Sequence, residues 1–408
     1  MNINIQRLKA NLLELSKFGF CEEDNGVYRQ GFTPADMEAR NWLLGKMKAE
    51  GFSAHMDEVA NVIGHYGPDD APAILIGSHL DSVPAGGIFD GSLGVMVGLE
   101  CMQCFKEEGI ELKNPVKVIA TSEEEGRFGG MLGAQALTGN LTMEWLEQAR
   151  APSGLLLIDA MKDCGFDYRD ALKARLNPED IKAFFEIHIE QGPVLEAEKI
   201  DIGVVEGISG IFSWQVQLVG KADHSGTAPM EYRRDAFRGV ADFAHEIPKI
   251  IEEVGTKTSR ITIGRVEVKP NFPHTVPGEV NFTIVGRDLS SKILKKIAEV
   301  CHRKITDIAQ FHNLEFNHEE LSWLEPSDCD KKIRDMLLRL SDARRYSNIS
   351  MPSGAGHDAQ FFSDITPTGL IFIPSVGGVS HSPAEWTDWE DVERGANILL
   401  DAVTAMAI

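Results

Sequence analysis

Each of four short apolar runs leads to a residue that can bind a metal ion. Residues 73–77 (AILIG) lead to His79, and 116–121 (VKVIAT) lead to Glu123, Glu124 and Glu125. Residues 183–189 (AFFEIHI) contain His188, and 370–374 (LIFIP) lead through SVGGVS to His381. Runs of this kind fit strands buried on both faces of a sheet. In open α/β sheets, sites form beyond the carboxyl ends of the strands. Packing alone gives no reason for four separate stretches to deliver His or Glu to one edge. Asp90 adds a carboxylate from GGIFDGSLG, whose glycines allow a tight turn into a helix. The three consecutive glutamates follow a buried strand and precede GRFGGMLG, so a solvated charge run is a poor account of them.

Mixed imidazole and carboxylate donors without thiolate suit Zn²⁺, Mn²⁺, Co²⁺ or Ni²⁺ in hydrolysis, not a structural zinc site. A carboxylate can bridge two such ions ~3.5–4 Å apart, which clamp and activate a water. Asp90, in the flexible turn between the others, is the natural bridge. Asp81, two residues beyond His79, is placed to hydrogen-bond and orient a ligand imidazole.

Other chemistries fail on spacing. Cys101 and Cys104 lie in an apolar helical pattern (GVMVGLECMQCF) and read as core thiols, with no second CxxC to pair with. GGIFDGSLG is neither of the phosphate-binding glycine patterns. GISGI at 207–211 lacks the final glycine of a serine-hydrolase elbow.

The elements that must position these residues fall into two sets. The four apolar runs, with helices expected at 93–106, 131–138 and 390–406, define an α/β domain with helices on both faces of its sheet. Residues 1–50 read as two further helices joined by a loop. The middle differs. Residues 214–219, 260–268 and 280–285 alternate like half-exposed antiparallel strands, followed by helices at 234–254 and 290–312. The expectation is a discontinuous domain, 1–206 with 323–408, carrying an inserted smaller α+β, ferredoxin-like domain at 207–322.

The chain has 408 residues, 43% hydrophobic, enough for two cores. With 40 Lys+Arg against 62 Asp+Glu, its net charge of −22 disfavours nucleic acid and anionic membranes as partners. An anionic substrate must therefore meet local cations. Six scattered cysteines point away from a disulfide framework. The N-terminal stretch has no signal-peptide core, and no run reaches the ~18–20 apolar residues of a membrane span. The expected compartment is the cytoplasm.

GSHLDSVPAGGIFDG, TSEEEGRFGGMLG, FEIHIEQGPVLE, ADHSGTAPMEYRRDA, VPGEV, SGAGHDAQ and SHSPAEW together resemble the hydantoinase/carbamoylase family of metal-dependent amidohydrolases. That family includes N-carbamoyl-L-amino-acid hydrolases, allantoate and ureidoglycolate amidohydrolases and β-ureidopropionases, within the aminoacylase/carboxypeptidase-like metallopeptidases. The resemblance covers nearly the whole chain. Dipeptidase-type relatives usually carry an acidic residue in place of His188, so HIEQG favours the carbamoylase-like branch.

The resemblance implies two divalent ions per subunit. His79, Asp90 and His188 would hold one, and Asp90, Glu125 and His381 the other. Glu124 would be the general base and Asp81 would support the site. It further implies a homodimer through the inserted domain, with His224 reaching the neighbouring subunit's site to stabilise the oxyanion. Gln191 would contact the ureido group, and Arg287 would bind the substrate carboxylate with its bidentate fork. His274 would help hold the substrate, and Gly354, Ala355 and Gly356 would offer backbone contacts. His357 and Asp358 read as turn residues. Three departures bear on allantoate in particular: His274 where relatives usually carry Asn, Val285 where many have an acid, and a shorter EEEGRF segment.

The expected substrate is a small carboxylate-bearing ureido or amide compound. A dipeptidase or aminoacylase of the same superfamily is the nearest alternative, and a catalytically silent metal- or ligand-binding protein is another. The inserted domain is expected to act as a lid, hinging near 207 and 322 and expelling water on closure.

Overall fold

A computed structural model describes residues Met1–Ile408. Thirteen strands occur in chain order: β1 (Ser53–Met56), β2 (Val62–Tyr66), β3 (Ala73–His79), β4 (Val116–Thr121), β5 (Ile181–Ile189), β6 (Ile202–Ile208), β7 (Gly210–Val219), β8 (Arg260–Lys269), β9 (Glu279–Asp288), β10 (Glu315–Leu324), β11 (Ser327–Asp328), β12 (Asn348–Ser353) and β13 (Thr368–Ile373). The chain divides into two compact units, Met1–Glu206 with Cys329–Ile408, and Gly207–Asp328.

The larger sheet has the order β1-β2-β4-β3-β5-β13-β6-β11, with β12 also paired to β6. Its centre is parallel: β3 pairs with β4 and β5, and β5 with β13. Antiparallel neighbours, β2 beside β4 and β6 beside β13, make the sheet mixed. The parallel centre is formed by the four apolar runs of the sequence. β3 and β13 are buried at every position, which requires cover on both faces.

Alternation along β5 shows what that cover is. Ala183, Phe185, Ile187 and Ile189 enter a core shared with the helices Ser92–Glu107 and Trp389–Ala407. Phe184 faces the other way and stacks on Phe362, ring centroids 3.9 Å apart. Glu186 and His188 share that second face by the two-residue period. Helix Ser92–Glu107 is buried almost all round, down to Glu100. That carboxylate is neutralised by Arg7, whose Nε and Nη2 donate to Oε2 and Oε1, each at 2.8 Å. Removing Arg7 would leave a buried charge unpaired, at a cost of about 3–5 kcal/mol.

The second unit runs β7–helix–β8–β9–helix–β10, with the antiparallel order β10-β7-β9-β8. This is the ferredoxin-like arrangement. Phe212, Trp214, Val216 and Leu218 join Val280, Phe282 and Ile284 under the helices Ala236–Val254 and Ser291–Phe311. The intervening residues of β7 and β9 are only half-buried.

The insertion ends later than residue 322. β10 stays paired to β7 through Leu324, and the unit closes at Asp328. EFNHEELSWL lacks the apolar alternation that marks β7 and β9, because it is a charged edge strand.

No helix is long and apolar enough to cross a membrane. All six cysteines are free, and Cys101 and Cys104 are buried on helix Ser92–Glu107.

Candidate metal centre

His79 is the last residue of β3 and His188 lies near the end of β5. Glu124 and Glu125 follow β4, and His381 follows a short 3-10 turn after β13. These ends bring the predicted ligands together in the first unit. One ligand atom each from His79, Asp90 and His188 lies within 4.8 Å of the others, and the same holds for Asp90, Glu125 and His381.

Asp90 belongs to both groups, with one oxygen toward each. Its Oδ1 is 3.0 Å from His188 Nε2 and 3.6 Å from His79 Nε2. Its Oδ2 is 3.3 Å from His381 Nε2, which is in turn 3.4 Å from Glu125 Oε2. Each oxygen of Asp90 thus faces a different group of candidate ligands. Glu124 Oε2 stands 3.6 Å from His79 Nε2, beside the shared space.

The surroundings fit divalent cations. His79 Nδ1 donates to the Asp81 carbonyl and His188 Nδ1 to the Ile189 carbonyl, each at 2.9 Å. Those bonds fix the tautomer and turn each Nε2 lone pair toward carboxylate. His188 Nε2 also accepts from Gly91 N at 3.2 Å. A lone pair facing a carboxylate needs a cation between them, either a proton or a metal ion. Burial alone would lower the His79 pKa, but Glu124, Asp90 and Glu125 hold it well above the ordinary imidazole value. Burial, then the charge of Asp90, pushes Glu125 up to about 7. Burial also holds Glu124 well above the ordinary carboxylate value, with the charge of Glu125 acting in the same direction. Glu125 Oε1 is buried and accepts no hydrogen bond. Crowded carboxylates with an orphaned oxygen are what a divalent ion satisfies.

Asp81 acts differently from the sequence expectation. Its backbone oxygen, not its carboxylate, holds the His79 imidazole. The carboxylate instead accepts from the backbone N–H groups of Glu124 at 3.2 Å and Glu125 at 3.0 Å. Asp81 thus fixes the glutamate turn against the His79 loop.

Gln191 Nε2 donates to Asp90 Oδ2 at 2.9 Å and to Ser380 Oγ at 3.2 Å. Ala355 N–H is engaged by Ser353 Oγ at 3.1 Å, so this one of the three expected backbone contacts is already used. Gly354 is exposed and Gly356 half-buried.

The other three expected residues belong to the second unit. His224 bridges to Thr275, and the His274 carbonyl accepts from Ser225 N at 3.0 Å, so the backbones of the two loops that carry these histidines are paired. His224 Nδ1 accepts from Gly226 N and Thr227 N. Arg287 lies on β9 opposite Ile211 of β7, and its burial lowers the guanidinium pKa.

Several supporting residues escaped the sequence reading. Glu385 is buried; its Oε1 accepts from Phe89 N at 3.1 Å and Asp90 N at 3.0 Å, and its Oε2 from Ser380 Oγ at 2.9 Å. It ties the His381 loop to the Asp90 turn. Glu186 accepts from Ser78 Oγ at 2.7 Å and Ala359 N at 3.0 Å. His357 is buried with its ring 4.7 Å from that of His188, and Asp358 accepts from Thr121 Oγ1. The visible signal for Glu385 was its place in SHSPAEW, four residues beyond His381.

A mixed α/β sheet with paired imidazole–carboxylate groups at its strand ends defines a metal-dependent hydrolase of the metallopeptidase type. The sequence pattern of Peptidase family M20/M25/M40 matches residues 75–405. An N-carbamoyl-L-amino acid amidohydrolase of Geobacillus stearothermophilus is 36% identical over 407 residues, 98% of each chain. The allantoate amidohydrolase of Escherichia coli (strain K12) is 34% identical over 400 residues, 97% of this chain and 96% of that one. The crystal structure of a hydantoinase/carbamoylase family amidase from Burkholderia multivorans matches with a TM-score of 0.91 at 31% identity, covering 100% of this chain and 98% of that one. The chain belongs to peptidase family M20/M25/M40, among its hydantoinase/carbamoylase amidohydrolases.

Proposed function

We propose that the protein hydrolyses the C–N bond of an N-carbamoyl or ureido group on a small carboxylic acid, using two divalent metal ions. The observation that carries this reading is Asp90, with one oxygen toward His79 and His188 and the other toward His381. Bound there, two divalent ions would polarise the ureido carbonyl and lower the pKa of water.

The chain's own groups do the rest. Glu124 takes a proton from the attacking water and delivers it to the leaving nitrogen as the carbonyl C–N bond breaks; ammonia departs, and the carbamate left on the substrate nitrogen loses carbon dioxide to give the free amine. Gln191 has its N–H donors directed to Asp90 and Ser380, so its Oε1 is the atom that accepts from a ureido N–H. An acyl group without that N–H would leave Oε1 unpaired, which favours ureido acids over acyl amino acids. Arg287 binds the substrate carboxylate, helped by His274. His224 of a neighbouring subunit stabilises the oxyanion, in a homodimer whose inserted units serve as dimerisation and lid domains. N-carbamoyl amino acids and allantoate, substrates named for two relatives, both pair a ureido group with a carboxylate.

The test uses chelator-stripped protein resupplied in turn with Zn²⁺, Mn²⁺, Co²⁺ or Ni²⁺. Ammonia is measured from allantoate, ureidoglycolate, 3-ureidopropionate and several N-carbamoyl-L-amino acids, and amino-acid release from a dipeptide. Metal-dependent ammonia release from one ureido acid is the expected result. Cleavage of the dipeptide alone would move the protein to the peptidase branch. Metal binding without turnover of any substrate would mark a silent binding protein.

A further inference from the structure

His79 and Asp90, two of the candidate ligands, are flanked by a segment outside every ligand motif. Residues 27–31 lie between the His79–Asp90 loop and the glutamate turn. Val27 and Gly86 exchange backbone hydrogen bonds at 2.9 and 3.0 Å. Arg29 N donates to Ser82 Oγ, and Ser82 N to Arg29 O, each at 3.0 Å. Gly31 O accepts from Arg127 Nη1 at 2.6 Å. A Cβ on Gly31 would come within 2.8 Å of Glu123 Cγ, so the contact with the glutamate turn is close-packed.

Arg29 itself is 1% exposed. Its Nε donates to Leu80 O at 2.7 Å and its Nη2 to Ser92 Oγ at 2.8 Å. Nη1 donates to Leu15 O at 3.2 Å and Phe18 O at 3.1 Å. Every one of these acceptors is neutral. Burying a guanidinium without a hydrogen-bonded carboxylate is costly, so packing is a poor reason for it. The acceptors suggest a better one. Leu80 follows His79 directly, and Ser92 N donates to Asp90 O at 2.6 Å. One rigid, planar group therefore ends beside both ligands, with fixed distances between its nitrogens.

Building on the metal centre described above, we propose that Arg29 is a positioning residue that sets the separation of the His79 and Asp90 backbones and so the affinity for divalent cations. A site of this kind tolerates displacements of only about 0.5 Å. A lysine would keep the charge but could not span both acceptors.

The test is calorimetric titration of the chelator-stripped full chain with Zn²⁺, comparing wild type, Arg29→Lys and Ser92→Ala, alongside melting of each metal-free protein. Both variants are expected to bind Zn²⁺ at least about tenfold more weakly. Metal-free Ser92→Ala is expected to melt below wild type, because Arg29 Nη2 loses a buried acceptor, so the titrations are run well below both metal-free melting points, which separates ligand spacing from general stability. Ser92→Ala also carries the test if Arg29→Lys fails to fold. Zn²⁺ affinity within twofold of wild type in Ser92→Ala overturns the proposal, whatever its melting point. Wild-type affinity in Arg29→Lys overturns it too, because charge alone would then suffice. A wild-type chain that binds no Zn²⁺ overturns the metal centre itself, and Arg29's role with it.

Discussion

Glu123, Glu124 and Glu125 are neighbours in sequence, but each faces different surroundings. Glu123 takes a positive φ of 54° and turns inward, where it accepts from Phe128 N at 2.5 Å and Gly130 N at 3.1 Å. Glu124 and Glu125 point to the ligand groups. Three substitutions should therefore give three phenotypes. Glu124→Gln should lower kcat by ~10²–10⁴ with metal content intact, as loss of a general base requires. Activity within tenfold of wild type would remove Glu124 from that role. Glu125→Ala should reduce bound metal, measured by elemental analysis of the dialysed protein. Glu123→Ala should leave two buried N–H groups unpaired and lose about 2–5 kcal/mol in urea unfolding. The clustering of the candidate ligands was legible from sequence because His and Glu are rare at the ends of buried strands. Glu385, Glu186 and Arg29 were not, since each serves loops distant in sequence. Asp81 was legible as a participant but not in its role, because a carboxylate two residues from a histidine looks like its partner. Only the folded turn shows the backbone oxygen taking that place.

At the scale of elements, the buried parallel strands could be read directly from continuous apolar runs. β10 could not, because an edge strand keeps its charges. β1, β11 and β12 lack such runs, and β2 and β6 flank the parallel centre as antiparallel neighbours. The glycine-rich turn into helix Ser92–Glu107 was legible as a turn, but its tightness was not. Gly91 caps that helix at φ 63°, and a Cβ there would lie 2.4 Å from two atoms of the His79 ring. Gly109 has the same φ of 63° with nothing within 4 Å of its Cβ position. Both alanine variants incur the left-handed strain, roughly 1–2 kcal/mol. Only Gly91→Ala also displaces a ligand. Zn²⁺ titration should show markedly weaker binding in Gly91→Ala and unchanged binding in Gly109→Ala. Equal affinities in the two would mean that the His79 ring moves aside freely.

At the scale of the whole molecule, the question is whether one chain makes a complete site. The site groups described above lie in the first unit, whereas His224, His274 and Arg287 belong to the second. If His224 serves a neighbouring subunit, two differently damaged chains can repair each other. A Glu124→Gln subunit offers an intact His224 to a partner, and a His224→Ala subunit offers an intact Glu124. Each variant alone should be nearly inactive. In a statistically mixed population half the dimers are hybrid, each with one whole site, so activity should return to about a quarter of wild type. The return should depend on subunit exchange: mixing the purified homodimers should give little until they are dissociated and reassociated. No recovery in verified hybrids would place His224 in its own subunit's site or outside catalysis. Sedimentation as a monomer at assay concentration would remove the shared site altogether, and His224 would then have to act in its own chain.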